Sequence, residues 1–527
     1  MSASRERKMR EEKGSSTQEV TKKKTKKLSE GWIFTICIVA VVVLVFGSLF
    51  IVRNHQMNKA VLTVGDHDVK VGEFNYFYRE FAANCDAYAQ YIGIEKNVPM
   101  DQQKLESDDL GMLPMLGINT DCMKDLQPTD GVYDFTWADL IAYNAMRSAA
   151  TSYSIYQAAM DAGYEVTEED AASIDGAIEM VSGYAEENHV SVDEYLGLVF
   201  GSGSDEKSYR QYLEVVTVAG RYPSTLEYTE EERNARYEKD PAKFDTADFY
   251  YYSVNASALK PVEGDEEKDK EEKPEEDYDA KAKAEAEKMA KNFDVENEKV
   301  KIYADMSKEQ MEQNVGVVKA TDEARTWIFE TAKEGKVKMF TVKPEAEDGE
   351  DTYVVIKMIA RGNYDTSDYL QIVIPADAAD KELAEGELSA KEKVEAIEAS
   401  LKEDPSEENF RKNMREYLGH THEDGTVHDG EKEGLVENMN HAQMATVSNS
   451  FYAWAAMSDR KAGDQTVDKQ ESSTRFYFYL GKGENFQKLI VSGALKQEWY
   501  QITTEAAIAA CEYDPEVAMH AKVGYYA

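Results

Sequence analysis

Cysteine, positive charge and the familiar catalytic signatures are what this chain lacks. Four cysteines in 527 residues exclude a disulfide scaffold. Lys and Arg number 60 against 101 Asp and Glu, a net charge of −41. The basic footprint that nucleic-acid phosphates require is therefore missing. No HExxH, GxSxG, Walker or dinucleotide fingerprint occurs. What is present is apolar mass: 42% of residues are hydrophobic, enough for buried cores, while 31% are charged, too many for a multi-span membrane protein. The length allows roughly three or four domains.

Charge and hydropathy divide the N-terminal region. Residues 1–31 hold ten Lys/Arg and five Asp/Glu, a basic tail of net +5. Trp32 to Val52 is 21 residues without a charge, long enough for a helix to cross the ~30 Å hydrocarbon layer. Basic residues before the span predict a cytoplasmic N-terminus, a single membrane anchor over 32–52 and an acidic, extracytoplasmic remainder.

Residues 60–245 read as helical. Ala60–Val64 and Val69–Val71 are short strands flanking a Gly65-Asp66 turn. Phe74, Phe77, Tyr78, Phe81, Cys85 and Tyr88 then recur at helical spacing. Residues 97–136, with three prolines, read as loop, and Trp137 reopens a helix ending at Gly163. Capping patterns at Thr167/Asp170, Ser191/Glu194 and Thr229/Glu232 mark further starts, and another helix opens near Asp205. Gly201-Ser-Gly203 is a helix break, since no strand precedes it and no Lys-Ser/Thr follows.

This order resembles the N-terminal domain of SurA/PrsA-type extracytoplasmic foldases. The matching pieces are Val61-Leu-Thr-Val-Gly65, Val71-Gly-Glu-Phe74, Ala158 to Gly163 followed by Val166-Thr-Glu-Glu, Tyr195 to Gly201, and Tyr209-Arg-Gln-Tyr212. The resemblance covers roughly residues 60–250.

Residues 246–483 contain a quasi-repeat. Thr246–Val254 and Tyr369–Ile374 are strand patterns, each followed by an acidic gap. The first gap is the acidic loop 262–279, with eleven Asp/Glu and three Lys. Helical patterns follow at Ala280–Phe293 and Ser389–Leu401, then apolar turns at Trp327-Ile-Phe329 and Trp454 to Met457. Gly335 and Gly463 come next, then closing strands at Tyr353–Ile359 and Arg475–Leu480. The two tryptophans are 127 residues apart, which predicts two α+β domains made by duplication, over 246–365 and 366–483. The pattern resembles parvulin-type peptidyl-prolyl isomerase domains. The second copy carries it better, in Lys432-Glu-Gly-Leu435, Gln443-Met444, Phe451, Trp454 and Gly463-Asp464. Residues 484–527 read as a returning helix and tail. Phe486, Leu489, Ile490, Leu495 and Trp499 form an apolar face for which the stripe at Phe74, Phe77, Tyr78 and Phe81 is the natural partner.

The histidines that parvulins place on the first and last strands are missing. Asp248-Phe249-Tyr250 and Gln371-Ile372 stand in the first position, and Tyr353-Val354 and Phe476-Tyr477 in the last. The fold class expected is thus a single N-terminal transmembrane helix, an all-α SurA-like domain and two α+β parvulin-like domains. The resemblance implies a membrane-anchored chaperone or foldase that binds unfolded secreted polypeptides. The alternatives are an active peptidyl-prolyl isomerase, and a non-catalytic structural or partner-binding ectodomain. Met444, Phe451 and Trp454 are the candidate peptide-binding residues, with ordinary core as the competing reading. No catalytic residue, cofactor, small-molecule partner or nucleic-acid partner is expected. His420, His422, His428 and His441 have metal-ligand character, but in an acidic loop whose ordering would cost entropy, and no metal site is assigned. Cys85 and Cys122 would tie loop to helix if they paired, leaving Cys511 over.

Overall fold

A computed structural model describes residues 57–95, 98–260, 277–295, 301–312, 321–344, 349–377, 388–421, 427–428, 430–456 and 460–524. The basic tail, the 32–52 segment, His422 and most of the 262–279 loop lie outside these residues. The chain divides into two compact units, 1–225 with 501–527, and 226–500.

The first unit is mixed rather than all-α. Strands β1 (Ala60–Val64) and β2 (His67–Lys70) form a hairpin. Gly65, at φ +58°, takes the first of its two loop positions, where a tight hairpin turn needs positive φ. Helix α1 (Val71–Ala87) follows at once and buries Phe74, Phe77, Tyr78 and Cys85, while Tyr88 lies exposed. Its Glu73 carboxylate meets His67 at 3.1 Å and accepts from the Tyr153 hydroxyl at 3.2 Å.

The stretch read as loop is pinned to the core. Strands β3 (Lys104–Glu106) and β4 (Val132–Thr136) pair, and Met100, Leu105, Leu113, Ile118 and Met123 are buried. Asn144 clamps Asn119, accepting from its N–H at 2.8 Å and donating to its carbonyl at 3.0 Å. Asn144 lies on α2 (Trp137–Asp161), which opens on a capping box of Thr136 and Asp139. Helices α3 (Glu168–Glu187) and α4 (Val192–Phe200) start on side-chain caps at Thr167 and Ser191, and α5 (Glu206–Thr225) completes the helical layer.

The chain's end returns to this unit, but through residues later than the sequence suggested. Strand Glu512–Tyr513 pairs with β1, and helix Pro515–Gly524 packs on α1. The core around Phe74, Phe77 and Tyr78 takes Ala507, Val517 and Ala518, with Ile508, Cys511 and Tyr513 against it. Cys85, Cys122 and Cys511 are free thiols around this one core.

Two of the expectations about fold class are corrected here. Among the described residues no helix is long and apolar enough to cross a membrane; the longest carry polar and charged side chains such as Asp139, Asn144 and Arg147. The N-terminal domain is not all-α, because its short apolar runs find strand partners up to 450 residues away, beyond the reach of local pattern.

The second unit begins with α6 (Glu230–Lys239), capped by Thr229 and Glu232. It then builds two four-stranded antiparallel sheets of the same strand order. The first uses β5 (Thr246–Asn255), β6 (Ile302–Ser307), β7 (Val337–Val342) and β8 (Thr352–Arg361), ordered β6-β5-β8-β7. The second uses β9 (Ser367–Pro375), β10 (Leu435–Met439), β11 (Gln465–Lys469) and β12 (Ser473–Lys482), ordered β10-β9-β12-β11. In both, the second strand pairs with the first, the first with the fourth, and the fourth with the third.

Alternation along the strands gives each sheet two apolar faces. One face of the first carries helix Tyr278–Asn292 on Tyr252, Val254, Tyr353 and Val355. The other buries Phe249, Tyr251, Val354 and Ile356 against Ile328, with Trp327 alongside. The second sheet repeats this. Helices Ala390–Glu403 and Glu407–Tyr417 cover Leu370, Ile372, Phe476 and Phe478, while Tyr369, Tyr477 and Tyr479 face Phe451 and Trp454. Gly335 and Gly463 are equivalent too. Both have positive φ, and each donates its N–H to the closing strand, at Met358 and Tyr479. The strand order repeats between the two sheets, and the two tryptophans lie against equivalent faces of them.

Candidate functional site

Two features of the second unit have the chemistry of a site, and one short helix touches both. Helix α7 (His441–Val447) begins on a capping box of Asn440 and Gln443. Its C-terminal half lines an open cleft of about 380 Å³, bounded by Val436, Met439, Gln443, Thr446, Val447 and Arg475. Gln443 spends its Oε1 on the Asn440 N–H at 2.9 Å, and Thr446 donates to the Ala442 carbonyl at 2.8 Å. Arg475 is the single ionisable side chain in the lining. The cleft is therefore an apolar trough with an amide and a cation at its rim, suited to holding a chain and without an acid–base pair.

The sequence-derived residues sit below that surface. Met444 and Phe451 are each 1% exposed. The Phe451 ring stacks on Tyr477 at 3.9 Å and meets Tyr369 edge-on at 5.4 Å. Trp454 is half-buried, and the Arg460 guanidinium covers its ring at 4.4 Å while donating to its carbonyl at 3.0 Å. None of the three lines the cleft. Val436, Met439 and Val447 line the cleft, and nothing in their spacing set them apart from core.

The N-terminal end of α7 reaches a buried carboxylate pair. Asp248 on β5 and Asp305 on β6 stand directly opposite each other in register. Asp248 is wholly buried, and among the described residues neither its Oδ1 nor that of Asp305 has a hydrogen-bond partner. Two ionised carboxylates cannot share such a site. Burial, and then the neighbouring Asp305, push Asp248 up to about 7, and burial likewise raises Asp305. A proton retained by one carboxyl would supply the missing donor. Asn363 Nδ2 donates to Asp248 Oδ2 at 3.1 Å and to His441 Nδ1 at 2.6 Å. An accepting Nδ1 makes His441 neutral, in keeping with the burial that lowers its pKa. Tyr303 and Tyr452 close the cluster, their rings 5.0 Å apart. Asp248, on the first strand of the first sheet, is thus an acid sealed from solvent. It ties β5 and β6 of the first sheet to α7 of the second.

His441 also departs from the histidine loop. His420 and His428 are partners in register in a two-residue ladder, and His422 lies outside the described residues. Among the described residues no group of three His, Cys, Asp or Glu is arranged to hold a metal ion.

The pair makes stability depend on pH in a definite direction. The unfolded chain releases these protons near pH 4, whereas the folded pair keeps one to near neutrality. The folded state binds more protons between those limits, so this contribution is complete below about pH 4 and is lost as pH rises to about 7. His441 acts oppositely, its contribution falling away as pH drops through its ordinary value near 6.5. Asp305→Asn leaves Asp248 without a like-charged neighbour. Its melting temperature should gain on wild type progressively from about pH 4 to about pH 7 by calorimetry. Parallel profiles for the two proteins would refute the shared proton.

No family model matches this chain, and no curated protein matches it. Among solved structures, the foldase protein PrsA from Lactococcus lactis is similar to it over 71% of this chain and 96% of that one, at 12% identity and a TM-score of 0.21. At that score the likeness carries no weight in the argument that follows.

Proposed function

We propose that this protein is a folding factor of the SurA/PrsA kind that binds unfolded polypeptide by transient burial of apolar segments, without covalent chemistry. The observation that carries this reading is the open cleft on the second sheet. Its walls are Val436, Met439 and Val447, and its rim offers the Gln443 amide and Arg475. An extended guest needs both, since apolar contact supplies affinity and rim donors answer guest carbonyls. The duplicated sheets and the N-terminal sequence resemblance agree with it. An isomerase reading gains nothing from the sealed Asp248 cluster.

The test is suppression of aggregation of a chemically denatured model protein by the full chain. Val436→Glu and Val447→Glu place a charge in the trough at partly exposed positions. They should weaken client binding about tenfold or more, because an unpaired charge opposes apolar contact. Melting temperatures should fall by no more than a few degrees, since both side chains pack at the edge of the core and are only partly buried. Undiminished suppression by both variants, with folding intact, would overturn the assignment.

A further inference from the structure

The first unit carries a second surface whose composition names its partner. Helices α3 and α4 form a hairpin that packs inward through Ile174, Ile178, Val181 and Leu196. Its outer face is apolar where a helix normally presents charge. Met180 is 57% exposed, Tyr184 46% and Leu198 71%. These residues are contiguous. Met180 and Tyr184 are one turn apart on α3, Tyr184 stacks on Tyr195 across the hairpin at 6.2 Å, and Leu198 lies one turn beyond Tyr195 on α4.

The surrounding charge is of one sign. Residues 148–206 contain 13 Asp and Glu and not one Lys or Arg. Asp170 and Asp175 find partners in Arg221 and Arg210 of α5. Glu179, Glu186, Glu187 and Glu194, which flank the apolar row, form no ion pair among the described residues. An apolar row inside an acidic rim excludes some occupants. A second copy of this chain brings a net charge of −41 against the same rim, and an anionic lipid surface is repelled in the same way.

We propose that the outer face of the α3–α4 hairpin docks cationic polypeptide segments in which Lys or Arg alternate with large apolar residues. The apolar side chains would lie on Met180, Tyr184 and Leu198. Met180 adapts to varied shapes, and the open face of Tyr184 accepts a cation. Glu179, Glu187 and Glu194 would meet the basic groups and speed encounter. This surface is separate in sequence from the trough of the second unit and does not depend on it.

The test uses the full chain and fluorescein-labelled 12-residue peptides, one of Lys and Leu, one of Glu and Leu, read by anisotropy. The Lys/Leu peptide should bind, and its affinity should fall steeply between about 50 and about 300 mM salt as the rim is screened. Leu198→Ser should weaken it at least about tenfold, the loss expected when a leucine contact is removed. Glu179→Lys with Glu187→Lys should weaken it comparably and flatten the salt dependence. Equal binding of the Glu/Leu peptide, or binding indifferent to Leu198→Ser and to the charge reversal, would overturn the proposal. So would Leu198-dependent dimerisation in sedimentation velocity, which makes the occupant a second copy. Leu198-dependent flotation with anionic vesicles would overturn it as well.

Discussion

Phe451→Ala should destabilise the second unit by about 3–5 kcal/mol, the cost of deleting a fully buried aromatic ring. The ring is 1% exposed, lies flat on Tyr477 at 3.9 Å and is flanked by Tyr369 and Trp454. Nothing smaller can fill that space without moving β9 and β12, whose tyrosines form the opposite wall. A ring that instead lined a peptide groove would be wet on one side, and its removal would weaken client binding at little cost in stability. Calorimetry on the full chain separates the cases. The transition of the second unit should fall by on the order of 10 °C, with the first unit's unmoved. An unchanged transition together with lost client binding would return Phe451 to the binding surface.

Local signals in the sequence translated well, and long-range ones did not. Thr167 with Asp170 and Thr229 with Glu232 were legible as helix starts because a capping box is complete within four residues. The repeated strand order was legible because each stretch keeps a tryptophan, a positive-φ glycine and a closing strand in the same sequence order. Strands β6, β7 and β11 were missed. Each is short, and each is a strand only because β5, β8 or β12 lies beside it. The Asp248–Asp305 pair was hidden for the same reason, since 57 residues separate two acids that register brings face to face. His441 looked like the fourth member of a histidine cluster until Asn440 capped a helix and turned it toward Asn363. Periodicity shows which face of an element is apolar. It does not show whether another element covers that face, and that decides between Met444, which is core, and Val447, which lines the cleft.

Gly72→Ala should reverse the usual sign of a helix glycine replacement. In an open helix interior alanine is favoured over glycine by about 1 kcal/mol. At Gly72, in the first turn of α1, a β-carbon would stand 2.0 Å from the Gly203 carbonyl oxygen and 2.6 Å from its carbon. Both are backbone atoms and cannot swing aside as a flexible side chain would. Gly203 itself sits at φ +92°, so the loop holds a conformation few residues adopt. Shifting it also disturbs bonds that fix α1, where Asn75 donates to the Ser202 carbonyl at 3.0 Å and Tyr76 to that of Asp205 at 3.0 Å. Asn75 and Tyr76 are nearly fully buried, and burial pushes the Tyr76 hydroxyl up to about 12. Overpacking of about 1–3 kcal/mol, with about 1 kcal/mol for each strained hydrogen bond, outweighs the gain in helix propensity. The expected net loss is about 3 kcal/mol, read as a lower melting temperature of the first unit. Gly183→Ala is the internal control, since its β-carbon would meet nothing within 4 Å on α3, and it should be neutral or stabilising. If Gly72→Ala melts with Gly183→Ala, the Gly201–Gly203 segment is not the buttress of α1, and its two glycines need another explanation.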